Sequence, residues 1–204
     1  MDRPAVYAVL AAIPLLCGVF FLTTRIMPPL LGYLVGLAFY WFVVLLPLLI
    51  WRGGLQAHRL RLNWPKRNVV VINAVLILGV AIAAILELHE NMVALWVLIL
   101  VTIAALLNGT MEELFWRGTL LRDDADVSAQ ALQLVLFTGW HIALLFAHGV
   151  EVTGGAFGLF GGAAVGGALW TYTRMQTGTA GFGALSHVGL NLFAFAGVAA
   201  QNLS

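Results

Sequence analysis

The sequence predicts an all-α polytopic membrane helix bundle with about seven transmembrane helices. Three observations carry this. Of the 204 residues, 62% are hydrophobic and only 9% are charged, against roughly 45–50% and about 25% in a soluble domain. Seven uncharged segments, at about 5–24, 30–51, 69–86, 92–111, 127–147, 152–173 and 179–200, each run 18 to 22 residues, close to the ~20 that cross the hydrocarbon as a helix. The alternation expected of a membrane-spanning strand is absent, which argues against a β-barrel.

The first segment reads as a retained span, because no small-x-small cleavage site follows it. LLCG around Cys17 resembles a lipoprotein site, but Leu16 stands where such a site needs a small residue. As the single cysteine, Cys17 excludes an intramolecular disulfide and a multi-cysteine metal site. The loop after the second span, WRGGLQAHRLRLNWPKRN, carries Arg52, Arg59, Arg61, Lys66 and Arg67, with Trp51 and Trp64 as interfacial anchors. Basic loops stay in the cytoplasm. Threading the chain from that loop also puts Arg3, Arg117, Arg122 and Arg174 inside and leaves only Arg25 outside, so the expected topology is N-in/C-out. The same loop is the best internal boundary. Residues 1–68 hold two spans with no buried ionisable group and read as accessory; residues 69–204 carry the polar chemistry. A net charge of +1 gives no reason to expect nucleic acid.

Ionisable groups inside membrane helices are costly and mark function by default. In NGTMEELFWRGTL, Glu113 and Arg117 stand four apart in the favourable order for a helical ion pair. Glu112 lies about 100° round the helix from Glu113 and needs a different partner or a task. In LFTGWHIALLF, His141 sits within the fifth span with Phe137 one turn before it on the same face. In LSHVGLN, His187 and Asn191 share one face of the seventh. His148 and Glu151 fall near the outer end of the fifth span and read as interfacial. GGAFGLFGGAAVGGAL sets Gly154, Gly158, Gly162 and Gly166 in a small-xxx-small stripe, expected to be a tight packing face, with a flexible substrate gate as the alternative.

Glu112, His141 and His187 come from three helices. Polar faces in lipid satisfy one another only by converging, which predicts a small polar cavity in the cytoplasmic half of the bundle, with Glu112 facing it. A carboxylate and two imidazoles around a water make a hydrolytic constellation, and Asn191 adds a donor for a developing oxyanion.

In order along the chain, Glu-Glu-x-x-x-Arg, Phe-x-x-x-His and His-x-x-x-Asn, with Gly118 after the arginine, resemble the CAAX-processing and bacteriocin-processing (CPBP, or Abi) family of intramembrane endopeptidases. That family includes the type II CAAX prenyl endopeptidase. The resemblance covers about residues 92–200 and leaves the first two or three spans outside. It implies peptide-bond hydrolysis in a membrane, with Glu112 activating water, His141 assisting, His187 and Asn191 stabilising the oxyanion, and Glu113, Arg117 and Phe137 supporting. It allows a metal-free glutamate mechanism, which the pairing of Glu113 with Arg117 favours, or zinc held by Glu112, His141 and His187. The implied partners are membrane lipid and a peptide or protein substrate, such as a C-terminal segment or a bacteriocin-like peptide. The implied setting is a prokaryotic plasma membrane. Two other readings compete: a non-enzymatic immunity or scaffold protein using these residues as interhelical contacts, and a proton-coupled transporter, against which the lack of a repeat argues.

Overall fold

A computed structural model describes residues 3–203, and among these every regular element is helical. Seven long helices follow one another: α1 (Arg3–Ile26), α2 (Pro29–Trp51), α3 (Arg67–Glu90), α4 (Leu95–Trp116), α5 (Val127–Phe146), α6 (Gly155–Thr177) and α7 (Gly181–Gln201). All but α6 are long and apolar enough to cross a membrane. Helix α6 has 23 residues, but glycines at 155, 158, 161, 162, 166 and 167 dilute its apolarity. Its 23 residues, at about 1.5 Å each, still match the thickness of the hydrocarbon.

Local chemistry explains the departures from regularity. Helix α2 opens on Pro29, where the missing N–H costs nothing. It widens to a π turn at Tyr40–Leu45 and resumes as an α-helix at Leu46–Trp51. In a regular helix the ring of Pro47 would collide with the carbonyl four residues earlier, and the π turn next to it relieves that collision. Helix α4 was expected to end near residue 111. It continues to Trp116 because Glu112 and Glu113 find partners inside the bundle, and it ends where the amides of Arg117 and Gly118 both bond the Glu113 carbonyl, at 3.1 and 2.9 Å. Helix α5 begins on the Asp126 cap, whose carboxylate accepts from the Ala129 amide at 2.8 Å. It tightens to a 3₁₀ helix over His141–Phe146.

Helix α7 is the centre of the bundle: 61% of its 18-residue apolar stretch is buried, against 22% of the corresponding stretches of α1 and α3. It packs mainly on α4 and α3. The α4 contact is closest at Gly109, where a Cβ would lie 2.6 Å from the Val188 amide nitrogen. The expected glycine stripe does not play this part. A Cβ at Gly162 would meet nothing within 4 Å, and at Gly154, Gly158 and Gly166 it would meet only residues of the same helix or the turn before it. Small residues allow close approach without compelling it, and here Gly158 and Gly162 border a cavity.

Contacts between loops sort the two ends of the bundle. At one end the Ala180 amide bonds the Arg59 carbonyl at 2.8 Å, the Asn63 amide side chain bonds the Thr177 carbonyl at 3.0 Å, and the Arg174 Nε bonds the Arg117 carbonyl at 3.0 Å. At the other end the His148 amide bonds the Thr24 hydroxyl at 2.8 Å and the Glu151 amide bonds Asn202 Oδ1 at 2.8 Å. The basic loops therefore cluster at one end, as the N-in/C-out topology expects.

Replacing Gly109 by Ala forces α4 and α7 apart and is expected to destabilise the protein by about 1–3 kcal/mol. Gly162→Ala has open space and is expected to be neutral or slightly stabilising. Thermal denaturation of the two purified variants in detergent compares them directly.

Candidate active site

Two consecutive carboxylates on α4 seed the site, and helix geometry sends them to different neighbours. Glu113 turns toward α6 and α7. Its Oε1 accepts from Arg117 Nη1 at 2.8 Å, and both side chains are fully buried. Arg117 spends its remaining donors on α6: Nη2 donates to the Gly167 carbonyl at 3.0 Å, and Nε to the Thr171 hydroxyl at 3.4 Å. Thr171 in turn donates to Gln133 Oε1 on α5 at 2.8 Å. The guanidinium carbon lies 4.0 Å from the centre of the Phe137 ring, so Phe137 supplies a π face to the cation. Only glycine fits at 167, where a Cβ would fall 2.8 Å from Phe137 and 3.1 Å from Arg117. Arg174 holds the same corner from outside, bonding the Arg117 carbonyl and pairing with Asp123. The Arg174 guanidinium keeps the Asp123 carboxyl below the usual carboxylate range.

His187 bridges the two carboxylates. Its Nδ1 is 3.2 Å from Glu113 Oε1 and its Nε2 is 3.4 Å from Glu112 Oε2. An ionised carboxylate only accepts, so Nδ1 carries a proton toward Glu113. The contact with Glu112 needs one more proton, on the ring or on the carboxyl. The imidazole stacks on Trp170 with centroids 3.9 Å apart at 19°. Gly183, one turn earlier on α7, lets the backbone approach: a Cβ there would lie 2.7 Å from Glu113 Oε2.

Glu112 turns the other way, toward α2. Its Oε1 accepts from the Tyr40 hydroxyl at 2.9 Å and its Oε2 from Asn108 Nδ2 at 3.1 Å. Tyr40 accepts from Trp116 Nε1 at 3.1 Å, and Asn108 Oδ1 accepts from Trp41 Nε1 at 2.8 Å. A carboxylate offers about four acceptor positions. Tyr40, Asn108 and His187 occupy three, which leaves one on Oε1.

A cavity of about 330 Å³ opens beside this cluster, walled by Asn108, His141, His187 and Asn191 and by apolar residues of α3, α6 and α7. Glu112 does not itself line it. The sequence expectation placed this carboxylate on the cavity surface; it lies one layer back, screened by Asn108 and His187. His141 and His187 both lie against Phe137, at 5.2 and 6.2 Å between ring centres. His141 Nδ1 is 2.9 Å from the Phe137 carbonyl, which can only accept. Nδ1 is thus the protonated nitrogen, and in the neutral ring Nε2 is left as an acceptor. Asn191 is buried, and its Nδ2 has no hydrogen-bond partner among the described residues; the same is true of Glu113 Oε2.

Glu112, Glu113, Arg117, Phe137 and His187 therefore meet through contacts, and His141 and Asn191 join them as walls of the same cavity. His148 and Glu151 are exposed at the far end of the bundle, away from the site. Sequence reasoning missed Asn108, Tyr40, Trp41, Trp170 and Thr171. Asn108 is four residues before Glu112 and could have been found by helical spacing. Tyr40 and Trp41 sit in a span read as free of buried ionisable groups, and nothing local to them signals the contact. As for zinc, among the described residues no three His, Cys, Asp or Glu side chains are grouped to hold a metal ion. Glu112 is turned toward Tyr40, Asn108 and His187, and the Nδ1 of His187 faces Glu113. In the metal-dependent alternative, Glu112, His141 and His187 would be the residues to hold zinc.

Residues 94–193 match the family described as "Type II CAAX prenyl endopeptidase Rce1-like". All three motif pairs fall inside that stretch. The match, over just under half of the chain, supports the resemblance to the CAAX-protease (CPBP) family. Six helices long and apolar enough to span make it a multi-pass membrane protein in a lipid environment, and the match is to a family of proteases. Neither the curated proteins nor the solved structures include a significant match to it.

Glu113→Gln would strand Arg117 without a counter-charge in an apolar interior, a loss of about 3–5 kcal/mol. Glu112→Gln sacrifices chiefly the Asn108 bond, about 1–2 kcal/mol. In detergent, the first variant is therefore expected to unfold at a clearly lower temperature than the second.

Proposed function

We propose that the chain is an intramembrane endopeptidase in which the Glu112 carboxylate activates the attacking water. One observation carries this reading: a fully buried carboxylate with a single vacant acceptor position, held directly behind the polar wall of an otherwise apolar cavity. A water donating to that position gives its proton to Glu112 as its oxygen attacks the carbonyl carbon of the scissile peptide. His141 Nε2 accepts the water's second hydrogen bond and aligns it. The oxyanion takes hydrogen bonds from Asn191 Nδ2, which has no other partner, and from the His187 Nε2 proton, whose bond shifts to it from Glu112 Oε2 as Glu112 takes up the water's proton and becomes neutral. Glu112 then passes the proton to the departing amine nitrogen as the C–N bond breaks. Glu113 and Arg117 keep His187 and α4 in register throughout. No metal enters this scheme, in keeping with the engagement of Glu112 and His187 by their neighbours.

The setting we propose is a prokaryotic plasma membrane with the basic end of the bundle in the cytoplasm. The substrate would be a C-terminal membrane segment or a bacteriocin-like peptide entering from the lipid. A second reading draws on the number of bonds that Glu112 makes. A carboxylate held by three neighbours would also serve as interhelical glue in a non-enzymatic immunity or scaffold protein.

Comparing peptides from membranes of cells carrying wild-type protein or Glu112→Gln at equal expression separates the two. The hydrolytic reading expects at least one fragment to fall by about 10²–10⁴-fold, the usual contribution of a general base. Identical peptide sets would leave the scaffold reading standing.

A further inference from the structure

We infer that Tyr40 and Trp41 of α2 are positioning residues that set the orientation of the Glu112 carboxylate. This rests on the proposed role of Glu112 and assigns part of the catalytic apparatus to a helix outside the family-matched stretch.

The two residues are neighbours in sequence, yet they reach the two oxygens of one carboxylate. Tyr40 donates directly to Oε1 at 2.9 Å. Trp41 donates at 2.8 Å to Asn108 Oδ1, and that fixes the Asn108 amide so that its Nδ2 donates to Oε2 at 3.1 Å. Adjacent side chains on an α-helix diverge by about 100°, too far for both to converge easily on one group. Tyr40 and Trp41 open the π turn of α2. A π turn takes more residues per revolution, so successive side chains diverge less; such turns occur often at functional sites. Each ring is also braced. Tyr40 stacks on Trp140 with centroids 4.1 Å apart at 21°, and its hydroxyl accepts from Trp116 at 3.1 Å, which directs its own proton at Glu112. Trp41 is buried, with its edge against Phe42.

The clamp acts on direction. With Oε1 held from one side by Tyr40 and Oε2 held by Asn108, the carboxylate plane cannot rotate. The remaining Oε1 lone pair therefore points one way. A general base must meet its proton along that line within hydrogen-bond reach, so loss of either donor misaims a base that is still present.

Tyr40→Phe tests this with little change of shape, because the ring and its stacking partner stay. Trp41→Phe is the companion. The first readout needs no substrate: the infrared carboxyl band of Glu112, identified by the difference between wild-type and Glu112→Gln protein in lipid. The second is the rate of appearance of the membrane fragment that depends on Glu112. Both substitutions are expected to shift the band. Tyr40→Phe should also slow the fragment roughly tenfold or more, the loss of one bond to a charged group, and Trp41→Phe should slow it less because it acts through Asn108. In a Glu112→Gln background Tyr40→Phe should add nothing. An unmoved band in both variants overturns the clamp, and so does a shifted band with an unchanged rate. If Glu112→Gln itself leaves the peptides unchanged, the hydrolytic reading is what fails, and the band shift still reports whether Tyr40 and Trp41 hold the carboxylate.

Discussion

The constraint on which the rest depends is a guanidinium without water. Arg117 is fully buried at the end of α4, and an arginine cannot shed its charge in a protein. Its surroundings must therefore be built for it. Glu113 supplies the counter-charge, the Gly167 carbonyl and Thr171 take its other donors, and Phe137 and Trp170 give it aromatic faces. These partners lie on three helices, so satisfying one side chain draws α4, α5 and α6 to a common point. His187 then docks on the same Glu113 oxygen that Arg117 uses. The polar network is what gives an otherwise uniform apolar bundle a preferred arrangement.

That arrangement puts two chemically identical residues into two different environments. Glu113 is matched by a permanent cation. Glu112, one residue away, has neutral donors from Tyr40 and Asn108 and a histidine that can gain or lose a proton. A group matched to a fixed charge has little reason to change its protonation. A group among neutral donors and an imidazole can change it without leaving a charge stranded. On the proposed mechanism, the one-residue step along α4 accounts for the difference in role.

Much of this was legible in the sequence. Hydrophobic runs marked out the helices, because a span must satisfy its backbone internally and shows it as a long uncharged segment. The ion pair of Glu113 and Arg117 was readable from four-residue spacing. So was the shared face of His187 and Asn191. What spacing along one helix does not encode is which helix lies opposite. Tyr40 and Trp41 were invisible for that reason: an aromatic in an apolar span looks like any lipid-facing ring until its partner on another helix is known. The glycines show the same limit from the other side. The regular stripe on α6 looked like a packing face, yet its Gly158 and Gly162 border a cavity, whereas Gly109, Gly167 and Gly183 stand where a backbone or a side chain comes too near for a Cβ. The accessory reading of residues 1–68 also takes on a different colour, since α2 touches the central carboxylate while lying before the family-matched residues.

The central claim is that a peptide occupies the cavity beside Glu112. Photo-crosslinking tests it most directly. A photoreactive residue in place of Leu190, in the cavity wall, would be compared with one in place of the exposed Leu185 on the outer face of the same helix. Both would be made in Glu112→Gln protein in native membranes. The account predicts that the uncleaved form of the Glu112-dependent peptide is captured from position 190 and not from 185. Capture of the same molecules at both positions, or of lipid alone at 190, would contradict it.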